Sequence, residues 1–85
     1  MNTEKIEQIL KEHLDLKEVY VSGENTHYQV IAVGEIFNGL SRVKQQQLIY
    51  APLMEYISSS AIHALSIKVF TPEKWERERM FYLST

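Results

Sequence analysis

The chain has 85 residues, a formal net charge of −2 and no cysteine. That length suits one domain with a small core, and the lack of thiols excludes disulfides, a zinc–thiolate centre or an iron–sulfur centre built from the chain's own sulfur. Residues 1–40 hold seven acids against three bases and residues 41–70 one acid against three bases, so the whole chain is a poor polyanion binder with one local basic patch, around Arg42, Lys44 and Lys68.

Ile6, Ile9, Leu10, His13 and Leu14 recur at helical spacing behind Asn2 or Thr3 as a cap, with Glu4 and Glu7 near the positive end of the dipole, which predicts a helix over 3–14. His13 then lies near the negative end of that dipole, where its charge is favourable. Leu16, Val19 and Val21 alternate with polar neighbours. Gly23, Glu24 and Asn25 supply turn chemistry before THYQVIAVG begins a second strand, so the pair predicts a hairpin. Asn38-Gly39 punctuates the start of a helical region capped by Ser41, in which Val43, Gln47, Leu48 and Tyr50 mark a short helix. Proline is best tolerated in a first helical turn, so Pro52 predicts a break near Ala51 and a second short helix carrying Leu53, Met54 and Ile57 up to Ser58-Ser59-Ser60. Ile62 to Phe70 reads as the third strand. Thr71-Pro72-Glu73 then opens a last helix through about Tyr82, docked by Trp75, Met80, Phe81 and Tyr82. The order α-β-β-α-α-β-α predicts an α/β (α+β) domain: a three-stranded mixed sheet with helices on one face, its third strand parallel to a neighbour. No run approaches the roughly 18 apolar residues of a membrane span, and MNTEKIEQIL lacks a signal-peptide core. A soluble cytoplasmic protein is expected, monomeric or weakly dimeric on its own.

The chemistry concentrates on two histidines. A histidine at the mouth of an apolar strand, such as His63, must be hydrogen-bonded, charged and solvated, or bound to something. His27 also stands at a strand start, and if the two strands are parallel neighbours both residues lie at one end of the sheet, on strands about 4.8 Å apart. Two imidazoles can hold one iron of a cluster, as in Rieske-type centres, while a partner supplies thiolates for the other. Side-chain parity opposes this pairing, because Gln29 shares a face with His27 whereas Leu65 and Ile67 share one with His63. Strand ends bend and bulge, so both the ligand and the structural readings stay open. Catalysis has no motif behind it: Asp15 is the one aspartate, and there is no thiol, no G-x-S-x-G elbow and no glycine-rich phosphate loop. A KH domain grips nucleic acid through G-x-x-G. Gly39-Leu40-Ser41-Arg42 has only one glycine, which leaves Arg42, Lys44 and Lys68 as candidate phosphate contacts, with a solvated face as the alternative.

The stretches THYQVIAVGEIFNGLSRVKQQQLIYAPLMEYI and IHALSIKVFTPEKW, with the length and order of elements, resemble the BolA family, most closely its IbaG-like branch. Three separated motifs carry the likeness over nearly the whole chain: T-H-Y-Q-V, F-N-G-L-S-R-V and I-H-A-L…T-P-x-x-W. The resemblance implies a fold like class II KH domains without the G-x-x-G loop, a non-enzymatic role in iron–sulfur or iron homeostasis, and a monothiol glutaredoxin as partner. It also implies a [2Fe-2S] cluster shared with that partner and glutathione, with the histidine of the H-A-L block, here His63, as a ligand. The second ligand of the family pattern is a Cys or His between the first two strands. The loop SGENT holds neither, and His27 is the nearest candidate. Family members are also described as DNA-binding regulators tied to stress and cell morphology.

Overall fold

In the computed structural model, which describes residues 1–83, helix α1 (Thr3–His13) leads into a β-hairpin of β1 (Glu18–Glu24) and β2 (His27–Val33). A single 3-10 turn (Glu35–Phe37), helix α2 (Arg42–Ser58), strand β3 (Ala64–Phe70) and helix α3 (Pro72–Tyr82) follow. β2 is the central strand, antiparallel to β1 and parallel to β3. The mixed sheet and its parallel third strand are thus as the sequence indicates. The helix caps are also those the sequence supplies. Asn2 Oδ1 accepts the amide of Lys5 at 2.8 Å, Ser41 Oγ that of Lys44 at 3.3 Å, and Thr71 Oγ1 that of Lys74 at 3.3 Å. Each satisfies an amide that the first helical turn leaves without a partner.

Three details differ from the sequence reading. There is no break at Ala51: Arg42–Ser58 is one helix with Pro52 inside it. Pro52 removes one backbone bond, to the carbonyl one turn back. Ile49 and Leu53, both fully buried and four residues apart on either side of it, pack on the same face and hold the helix continuous across the gap. Two of the apolar residues that mark helix in the sequence lie off that face: Val43 is 63% exposed and Met54 51%.

The helices do not all share one face of the sheet. Val19, Tyr28, Val30 and Ala32 pack with Ile6, Ile9, Leu10, Ile49 and Leu53 from α1 and α2. The alternate residues Ile31, Val33 and Phe70 pack with Trp75 from α3. Since successive strand side chains point to opposite faces, α3 covers the face that α1 and α2 leave open. Within α3 only Trp75 is buried, whereas Met80 and Phe81, expected to dock, stand out into solvent. Among the described residues no helix is long and apolar enough to cross a membrane.

The third difference lies at the start of β3. Ser60 takes a left-handed backbone conformation (φ 68°) and Ile62 is buried outside the strand, its amide donating to the Tyr56 carbonyl at 3.1 Å. Strand pairing begins only at Ala64, so His63 stands just before the ladder instead of inside it.

Candidate functional site

The parallel register brings the two histidines to one end of the sheet. His27 is the Cα partner of Ala64, and the amides of His63 and Ala64 both donate to the Thr26 carbonyl, at 2.8 and 3.1 Å. His63 therefore lies opposite Thr26, one position out of step with His27, which is the parity mismatch legible in the sequence. Both histidines are exposed.

The backbone around them is held firmly. Ile62, 2% exposed, anchors the chain immediately before His63. On the hairpin side, Glu24 pairs with His27 across a two-residue turn in which Asn25 has φ 59°. Gly23 (φ 121°) passes so close to the next strand that a Cβ there would sit 2.2 Å from the His27 carbonyl oxygen, so only glycine fits. The Tyr28 hydroxyl lies 2.7 Å from the carbonyls of both Met1 and Asn25, to either of which it can donate its proton. The backbone is fixed on each side of these rings, while no hydrogen bond within the protein engages the side chain of either among the described residues. Of the three options for His63, the core-edge hydrogen bond is excluded. His13 is different: its Nδ1 lies 2.8 Å from the Ile9 carbonyl, one turn back in α1.

Two neutral imidazoles are borderline donors suited to a transition metal, but they amount to half a coordination sphere. Among the described residues no cluster of three or more His, Cys, Asp or Glu could hold a metal ion, and the chain has no cysteine. The pair fits a cluster only as a half-site completed from outside the chain.

The basic candidates separate. Arg42 and Lys68 line one groove of about 430 Å³ between the start of α2, the edge of β3 and α3, whereas Lys44 does not contribute to it. The groove gains a cation the sequence reading missed, Lys74. The signal was available, because the T-P-E-K helix start places Lys74 in the first turn directly after the third strand.

The structure is that of a small α+β domain with two exposed histidines at one end of its sheet. The chain belongs to the BolA-like protein family, whose family model matches residues 4–74. It is 56% identical to the acid stress protein IbaG of Escherichia coli K12, over 93% of this chain and 94% of that protein. Among solved structures, a BolA protein homologue from Coxiella burnetii is similar at a TM-score of 0.79 and 29% identity, covering 91% of this chain and 99% of that one. The BolA domain of SufE1 from Arabidopsis thaliana is similar at a TM-score of 0.75 and 32% identity, covering 85% and 93%.

Proposed function

We propose that the protein is a non-enzymatic adaptor in iron–sulfur handling that shares a [2Fe-2S] cluster with a monothiol glutaredoxin, and that His63 is its ligand. The observation that supports this reading is the exposed, unengaged His63 ring on a backbone fixed by Ile62 and by two amide bonds to Thr26. A ligand must be reachable and offer a free nitrogen lone pair, and the unengaged ring leaves one nitrogen for the metal and the other for an orienting hydrogen bond to a partner or water. His27, at the adjacent register position, is the proposed second ligand. The one-position offset is met by His63 lying outside the regular pleat, where side-chain direction is no longer bound to strict alternation. A glutaredoxin cysteine and glutathione supply the thiolates this chain lacks. The cluster brings its own redox and sulfur chemistry, and the role of this chain is to orient two nitrogen donors toward it. The likeness to a protein named for acid stress supports placing the role within a stress response.

Mixing the protein anaerobically with a monothiol glutaredoxin, iron, sulfide and glutathione should give a heterodimer whose visible spectrum differs from that of the glutaredoxin homodimer. His63→Ala should remove the nitrogen signature of the cluster, and His27→Ala tests the second ligand in the same assay. No complex on a sizing column together with an unchanged spectrum would refute the adaptor reading. A ligating imidazole must be neutral, so acidification should weaken the loaded heterodimer as protons compete with the metal.

A further inference from the structure

We propose that the free edge of β3, in the groove between α2 and α3, takes up an extended acidic peptide as a fourth strand. β3 is an edge strand. The Ala64 amide donates to Thr26 and the Phe70 carbonyl accepts from Gly34 at 3.0 Å, so Ala64, Ser66, Lys68 and Phe70 turn their backbone groups toward β2. By the two-residue repeat, Ile67 and Val69 turn theirs outward. Both residues line the groove, and among the described residues no side chain or loop hydrogen-bonds their outward amides and carbonyls. Unpaired edge groups of this kind are a template for another strand.

The charge of the groove selects the strand. Arg42, Lys68 and Lys74 line it against one acid, Glu78, whose carboxylate lies 4.0 Å from the Lys74 ammonium. Two of the cations are positioned by aromatic faces: Lys68 Nζ lies 5.6 Å from the Tyr82 ring centroid and Lys74 Nζ 5.9 Å from that of Phe70, within the range of a cation–π contact. Arg42 is the first residue of α2 and Lys74 lies in the first turn of α3, so both helix dipoles add positive potential. α2 and α3 lie on opposite faces of the sheet. An inserted strand would therefore turn alternate side chains toward Arg42 on one face and toward Lys68 and Lys74 on the other. The same Lys68 at mid-edge disfavours pairing with a second β3, since like charges would meet. A nucleic acid strand fits less well: the two aromatic rings that line the groove, Phe70 and Tyr82, already pack against Trp75, with centroids 5.1 and 6.2 Å away, and are not free to stack on bases.

The test is fluorescence anisotropy with a labelled peptide alternating glutamate and valine. The comparison probes are its lysine counterpart, its fully N-methylated form and single-stranded oligothymidylate. The glutamate peptide should bind, the lysine and N-methylated peptides should not, and the Ile67 and Val69 amides should gain hydrogen-exchange protection on binding. Lys68→Ala/Lys74→Ala should weaken binding about tenfold, the effect of losing two exposed ion pairs. Thermal melting of that variant checks that its fold is kept. The proposal is overturned if the glutamate peptide fails to bind, if N-methylation leaves its affinity unchanged, or if oligothymidylate binds more tightly. Protection of the same amides that rises with protein concentration alone, a sign of self-pairing, also overturns it.

Discussion

At His63 the physical chemistry of one ring separates stability from function. The side chain is exposed and makes no hydrogen bond among the described residues, so His63→Ala should shift folding stability by no more than about 0.5 kcal/mol in a thermal melt, while the spectrum of the proposed glutaredoxin complex changes. Gly23 should behave the opposite way. With φ 121° and the His27 carbonyl 2.2 Å from any added Cβ, Gly23→Ala should cost about 1 to 3 kcal/mol and displace His27, visible as a shift of the His27 amide resonance. Tyr20 gives a test at alkaline pH. The hydrogen bond its hydroxyl donates to Glu18, then partial burial and the Glu18 charge, raise its pKa above the usual 10.0 against a smaller opposing effect from Arg79. The fold favours the neutral phenol, so its contribution is complete below about pH 10 and is lost as pH rises through the raised value. Tyr20→Phe should accordingly lose less stability than the unmutated protein between neutral and strongly alkaline pH. The sequence was enough to single out His63, because a histidine beside an apolar run demands a reason. It was not enough to choose among the reasons, since that depends on whether the ring lies inside the pleat or just before it, and the onset of pairing at Ala64 is set by the Thr26 carbonyl in the distant hairpin turn.

Among the elements, those with local causes were legible and those decided by packing were not. Side-chain caps at Asn2, Ser41 and Thr71 follow from residue type and three-residue spacing, and each stands where the sequence places it. Pro52 misleads for a physical reason. Its local penalty, about 3 kcal/mol relative to alanine, is comparable to what one buried aliphatic side chain contributes, and Ile49 and Leu53 supply two. Pro52→Ala should therefore raise stability by about 1 to 2 kcal/mol in denaturant titration, after allowance for the greater chain entropy of the unfolded state. The side on which α3 docks is likewise tertiary, yet β2 carried a sign of it: Val30-Ile31-Ala32-Val33 is apolar without alternation, as a strand covered on both faces requires. All four are buried.

At the scale of the molecule, β2 is shared by two apolar clusters of unequal size. The larger joins α1, α2 and one face of the sheet, and the smaller is centred on Trp75. The indole is 1% exposed, and its Nε1–H is buried with no acceptor among the described residues. Trp75→Ala should cost about 3 to 5 kcal/mol, a large share of the roughly 5 to 15 kcal/mol that holds a domain together. Apart from this residue and Tyr82, whose ring meets that of Phe70 at 5.2 Å, α3 turns mainly to itself, through Arg77–Glu73 at 3.2 Å, Arg79–Glu76 at 3.7 Å and Lys74–Glu78 at 4.0 Å, pairs worth a few tenths of a kcal/mol each. A helix moored by one buried residue and one aromatic neighbour can detach while the rest of the protein stays folded, so the chain should carry two opening reactions of different free energy. Trp75 is the only tryptophan and stands at the mooring itself. Its emission should therefore redshift at a lower denaturant concentration than the one at which far-ultraviolet circular dichroism is lost, making the anchor the reporter of its own release.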